Sequence, residues 1–145
     1  MSSGYVFDTE AIIAFLYNEP GHEVVADILD EVFTGSSDGF LTEANASEVF
    51  YLVARFEGVD DTPTDASLRD ADRDVRALAR QGLSIESADW RLAAEVKADG
   101  GISLADAYAV ALAHEREATL VAGAADDFED LSIGVDLHRF RNHGA

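Results

Sequence analysis

Gly4-Tyr5-Val6-Phe7-Asp8-Thr9-Glu10-Ala11-Ile12-Ile13-Ala14-Phe15-Leu16 is the stretch that decides the fold. Its first four residues read as a short buried strand, and Asp8 or Thr9 caps a helix running through Ala11 to Leu16. Asn18-Glu19-Pro20-Gly21 breaks that helix. The same alternation recurs outward along the chain. Helical periodicity covers about 22–33, 42–57, 65–80, 88–99 and 103–117, while brief strands are predicted at 40–41, 83–85, 119–122 and 135–137. Residues 59–64 read as a turn, Gly82 as a C-cap, and Gly100-Gly101 as a helix stop. Strands separated by helices build βα units. The expected fold class is α/β: a mainly parallel twisted sheet of four to five strands with helices on both faces.

The 145 residues, 48% of them hydrophobic, suit one domain with a substantial core. With no cysteine, thiolate metal sites, disulfides and a thiol nucleophile are excluded. No apolar run reaches membrane-spanning length and Met1-Ser2-Ser3-Gly4 lacks the charge of a secretory signal, so a soluble cytoplasmic protein without a membrane partner is expected. Acids outnumber bases 29 to 10, for a net charge of −19, and Lys97 is the only lysine. At ordinary salt that balance argues against a polyanionic partner. In multimolar salt the Debye length falls to about 3 Å or less, and a carboxylate surface repels itself little. The composition is therefore read as halophilic, an acidic mimic or a binder of basic partners being the alternative, and RNA stays open as a partner.

Ligands of open parallel sheets bind at the carboxyl ends of the strands, so acids near those ends matter most. Asp8 follows the first strand directly; taken alone it is a helix N-cap. Glu48 and Asn45 stand four residues before Leu52 and Val49 of an apolar stripe (Val49, Leu52, Val53, Phe56) and so border the buried face. A pairing of Glu48 with Arg55 is the plain alternative. Asp106 follows Ser103 at capping-box spacing and opens a helix that is apolar nearly all round. Asp126 and Asp127 follow the strand at 119–122 through Gly123-Ala124-Ala125; alone they read as a solvated loop. Three or four such carboxylates gathered at one sheet edge form an oxygen-only site suited to Mg²⁺ or Mn²⁺. They repel one another unless a divalent cation neutralises them. The chemistry they support is phosphodiester hydrolysis by metal-activated water, with the leaving oxygen stabilised.

The order Val6-Phe7-Asp8-Thr9, Asn45-Ala46-Ser47-Glu48-Val49, Ser103-Leu104-Ala105-Asp106-Ala107, then Leu120-Val121-Ala122-Gly123 ending at Asp127-Phe128, resembles the PIN-domain nucleases. It is most similar to the toxin subunits of VapBC-type toxin–antitoxin pairs, and the likeness spans essentially the whole chain as one PIN-like domain over 1–145. The resemblance implies a Mg²⁺- or Mn²⁺-dependent endoribonuclease, usually a homodimer, held inactive by a small antitoxin. Asp8, Glu48 and Asp106 match family metal-binding acids. Thr9 matches a position that commonly carries a small hydroxyl, and Asn45 one that is often polar. The last motif departs from the family's Gly-Asp-x-Asp-Phe: counting back from Phe128, Ala125 stands at the first aspartate and Asp127 at the second. Asp126 is an extra acid that substitutes if the loop shifts by one residue. The alternative that Ala125 keeps open is a catalytically weakened PIN-like domain that binds RNA or protein without cutting.

Arg69, Arg73, Arg76 and Arg80 form one helical stripe, and Arg139 and Arg141 flank an aromatic in His138-Arg139-Phe140-Arg141-Asn142-His143. Both groups are candidates for RNA contact. Against this, Asp65 and Asp72 stand four residues before Arg69 and Arg76 and offer intrahelical salt bridges, the preferred reading of the stripe. For the tail a frayed end is the alternative to phosphate binding, which the scarce arginines and interleaved aromatic favour. His22 and His114 read as surface or packing residues. Phosphotransfer folds of the haloacid-dehalogenase and receiver kinds also place an aspartate after the first strand. Both want a lysine late in the chain, and Lys97 lies mid-helix.

Overall fold

β1 (Gly4–Phe7) passes into α1 (Thr9–Tyr17) through Asp8, whose extended backbone and Oδ1, accepting from the Ala11 N–H at 2.7 Å, start the helix. Asn18 ends it in the left-handed region at φ 52°. The computed structural model describes residues 4–123, 128 and 131–141. After α1 come α2 (His22–Phe33), β2 (Asp38–Thr42), α3 (Glu43–Phe56), α4 (Asp65–Gln81), β3 (Ser84–Glu86), α5 (Trp90–Asp99), α6 (Leu104–Arg116), β4 (Thr119–Ala122) and β5 (Asp136–Arg139).

The five strands lie in the order β3-β2-β1-β4-β5, and every pairing is parallel. Among the described residues the expected sheet of four to five strands is therefore a five-stranded one, parallel throughout. From β1 the chain builds outward to β2 and β3, then returns to add β4 and β5 on the other side. The junction of β1 and β4 is thus the topological switch point, where an open parallel sheet presents a crevice at its carboxyl edge. β2 is longer than the expected 40–41 because its ladder is supported on both sides, by β1 and by β3.

Strand alternation sorts the core into two clusters. Phe7, Leu41 and Val121 face the layer made by α1, α2, α3 and α4, while Val6, Leu120 and Ala122 face α5 and α6. Phe7, Ile12, Leu29, Leu41, Leu112 and Leu120 are fully buried, each contributing about 1.5–3 kcal/mol of transfer free energy. Helices therefore cover both faces, as expected. Among the described residues no helix is long and apolar enough to cross a membrane.

Two expectations change. The buried stripe of α3 is Ala46, Val49, Val53 and Ala54, whereas Phe56, at the last turn, is exposed and meets the Tyr17 ring edge-on. The tail is not frayed as far as Arg141. Phe140 is buried in the first cluster, its N–H donates to the Ala122 carbonyl at 3.0 Å, and its backbone lies on Gly21. Gly21 has φ 87°, and any Cβ there would overlap the Phe140 carbonyl. Residues 142–145 lie outside the described residues.

Candidate metal centre

Three helices begin at the carboxyl edge of the sheet, and each brings a polar side chain there through its cap. Asp8 caps α1 and is only 2% exposed; its own N–H donates to the Val121 carbonyl of β4 at 3.1 Å. Thr42 caps α3 at the end of β2, accepting from the Asn45 N–H at 3.0 Å. Ser103 caps α6, accepting from the Asp106 N–H at 3.1 Å. The positive ends of these helices favour negative charge at the edge.

A buried polar network ties the first two caps together. Thr42 Oγ1 donates to Asn45 Oδ1 at 2.5 Å, and Asn45 Nδ2 donates to Thr9 Oγ1 at 3.0 Å. Thr9, Thr42 and Asn45 are all buried. Asn45 is thus the fully enclosed polar residue of α3, and Glu48, one turn on, is exposed. The carboxylate stands away from the core margin because Asn45 occupies it. Arg55 pairs with Asp61 at 2.9 Å instead of with Glu48.

A cavity of about 300 Å³ opens at this edge, lined by Thr9, Glu10, Ile13, Glu48, Leu52, Ser103 and Asp106. A larger one, about 430 Å³, lies at the opposite edge between Glu117 and Asp136 and holds none of the motif acids. Burial pushes the Asp8 carboxyl well above the usual aspartate range; the Ala11 N–H opposes this, and the charges of Asp106 and Glu10 add to it. Asp106, half-buried, is also raised, first by desolvation and then by Glu48 and Glu10, with hydrogen bonding to Ser103 in opposition. Asp106 thus feels Glu48 and Glu10, and Asp8 feels Asp106 and Glu10, while Asp8 itself lies behind the cavity and is not among the residues that line it.

Among the described residues no group of three acids or histidines closes to metal-ligating distance. Asp126, Asp127 and Ala125 lie outside the described residues. The donor chemistry fits a hard divalent cation: among the described residues every polar side-chain group lining the cavity is a carboxylate or hydroxyl oxygen, and the desolvated Asp8 carboxyl stands beside it.

One acid was missed by the sequence reading. Glu10, in the first turn of α1, lines the cavity and raises both Asp8 and Asp106. Its place two residues after Asp8, on a helix that starts at the strand end, is the signal that marks it.

The arginines divide. Arg76 pairs with Asp72 at 2.8 Å, and Arg73 with Asp70 at 3.5 Å and Asp74 at 3.3 Å, so the α4 stripe is partly self-neutralised. Arg69 and Arg80 are exposed and enter no ion pair among the described residues. Arg141 donates to the Pro20 carbonyl at 2.8 Å and pairs with Glu10 and Glu19, and Arg139 is half-buried on β5. His114 is exposed, and His22 Nδ1 meets the Glu19 carbonyl at 3.0 Å.

The family model described as PIN domain matches residues 5–133. Similar solved structures include VapBC from Salmonella typhimurium bound to DNA, at 14% identity and TM-score 0.70, covering 97% of this chain and 99% of that one. VapBC2 from Rickettsia felis bound to a promoter DNA fragment is similar at 13% identity and TM-score 0.67, covering 94% and 98%. FitAcB from Neisseria gonorrhoeae is similar at 19% identity and TM-score 0.63, covering 94% and 97%. No curated protein matches by sequence.

Proposed function

The chain belongs to the PIN-domain family, and from that membership we propose that it is a Mg²⁺- or Mn²⁺-dependent endoribonuclease, the toxin subunit of a toxin–antitoxin pair. The observation that carries the reading is the desolvated Asp8 at the β1–β4 switch point, coupled to Asp106 at a cavity shared with Glu48. An acid-lined site with so much like charge receives a phosphodiester only when a cation is bound. Asp8, Glu48 and Asp106 would hold that cation, with Asp127 or Asp126 as the fourth acid. When bound, it supplies Lewis-acid polarisation of the phosphate and a lowered pKa for water.

The chain's own residues orient and anchor. The Ala11 N–H fixes one oxygen of Asp8. Asn45, donating to the Thr9 hydroxyl, leaves that hydroxyl's proton available at the cavity wall. Arg69 and Arg80 on α4 are the first candidates for RNA contact, and Arg73, Arg76 and Arg139 join them by exchanging their present partners for phosphate. The VapBC structures that the fold resembles pair a toxin with an antitoxin, which supports a small antitoxin as partner. Exposed Tyr51, Phe56, Val59 and Leu68 offer apolar surface for it or for a second copy in a homodimer. The chain would act in the cytoplasm with its RNA, and its acidity suits a halophilic interior.

The test is cleavage of structured RNA in multimolar KCl with Mg²⁺ or Mn²⁺, comparing the native chain with Asp8→Ala and Asp106→Ala. Cleavage that needs the metal and is abolished by each substitution is expected. A folded, Mn²⁺-binding native protein that cuts nothing would overturn the nuclease reading. It would favour the binding module that Ala125 suggests.

A further inference from the structure

Glu10 differs from the other acids of the edge in how firmly it is held. Arg141 pairs with it from the far end of the chain, and that guanidinium is itself pinned by the Pro20 carbonyl at 2.8 Å and by Glu19 at 3.3 Å. With all three nitrogens engaged and a side chain only 18% exposed, Arg141 is a fixed post. On its other side the Glu10 carboxylate rests on Gly123, the residue that follows β4; a Cβ there would overlap Glu10 Oε1. The Glu10 side chain keeps half of its surface in solvent. It is drawn across the edge from α1 to β4, and it lines the same cavity as Glu48 and Asp106.

The position bears on the departure in the last motif. The loop after β4 carries Ala125 where the family places its first aspartate. Gly123 is where that loop leaves the sheet, and Glu10 lays a carboxylate on it. We propose that Glu10 is a further metal-facing acid of this site, supplied from α1 at the β4 edge, with Arg141 as the positioning residue that holds it there. The inference rests on the proposed metal centre. One oxygen of Glu10 is taken by Arg141, and the other serves the cation directly or through a water. Magnesium keeps several waters in such sites, so no closed shell is needed. Arg141 also offsets the charge that Glu10 adds beside Asp8.

The experiment is calorimetric titration of Mn²⁺ into the native chain, Glu10→Gln, Glu19→Gln, Gly123→Ala and Asp106→Asn in multimolar KCl, each variant checked for native circular dichroism. Glu19 shares Arg141 with Glu10 but does not line the cavity, so it reports the structural role alone. Glu10→Gln should weaken Mn²⁺ binding by about tenfold to a hundredfold, the range typical of groups that tune a metal site. Gly123→Ala, which only displaces the end of a flexible side chain, should lower affinity in the same direction, while Glu19→Gln stays within about twofold. Should Glu10→Gln fail to fold, Gly123→Ala carries the test. Native affinity in Glu10→Gln and Gly123→Ala, alongside loss in Asp106→Asn, would overturn this inference and leave the metal centre standing. Equal losses in Glu10→Gln and Glu19→Gln would also overturn it, as an effect of undocking Arg141. No Mn²⁺ binding by the native chain, or binding that survives Asp106→Asn, would remove both.

Discussion

Asp8 is kept from water by its own helix turn and by β4, and it feels the like charges of Asp106 and Glu10. Its raised pKa sets the sign of a pH effect on the metal-free protein. Between the unfolded aspartate value, about 3.9, and the higher folded value, the native state binds more protons than the unfolded one. Stability therefore falls as pH rises through that window and is recovered on acidification. Asp8→Asn should flatten this slope and raise the metal-free melting temperature at neutral pH while removing cleavage; scanning calorimetry across pH checks it. Asn45 carries a different prediction. Asn45→Ala leaves the Thr42 hydroxyl without its acceptor and Thr9 without its donor, both buried. A destabilisation of about 1–3 kcal/mol is expected in denaturant melts. Asp8 at a strand end and Asp106 in a first helical turn stand at positions the sequence marks by local spacing, whereas Glu48, inside α3, was singled out only by its place beside the apolar stripe and by the family resemblance. Asn45's burial and Glu48's exposure were not legible, since i and i+3 positions on α3 flank the same stripe and only packing decides which turns inward.

At the scale of elements, the caps were read well because they are local. Asp8 and Ser103 each answer an N–H three residues ahead, and no distant contact is needed; Thr42, expected as the first residue of its helix, does the same as the cap of α3. The tail was not legible, because its partner lies more than a hundred residues away. Phe140 and Arg141 are seated by the turn between α1 and α2, and Gly21 makes the close approach feasible. Gly21→Ala meets both a left-handed φ of 87° and the Phe140 backbone. It should destabilise by about 1–3 kcal/mol and speed exchange of the Phe140 amide. Gly35 has a similar φ of 86° with nothing within 4 Å, so Gly35→Ala should show the conformational cost alone, about 1 kcal/mol. Hydrogen exchange by mass spectrometry separates the two, since only Gly21→Ala releases the tail.

For the molecule as a whole, the charge of −19 is the dominant physical fact outside the core. Self-repulsion of that size opposes the compact state when screening is weak. The unfolding midpoint should rise from about 0.1 M to about 3 M KCl, where the Debye length drops below 3 Å. Thermal melts by circular dichroism check this, and a midpoint indifferent to salt would remove the halophilic reading. The same screening lets arginines on α4 meet phosphate only at short range, so RNA cleavage should depend weakly on salt in the multimolar regime.

The alternation of strands and helices and the parallel sheet follow from the sequence by itself. These are consequences of periodicity, capping and residue order, which act over a few residues at a time. The tertiary structure alone decided which strands are neighbours, which acid is desolvated, and that Glu10 and Arg141 meet at the β4 edge. The reason is physical: burial and Coulomb interaction depend on distance in space, and the sheet order β3-β2-β1-β4-β5 brings together residues that the chain keeps more than a hundred positions apart.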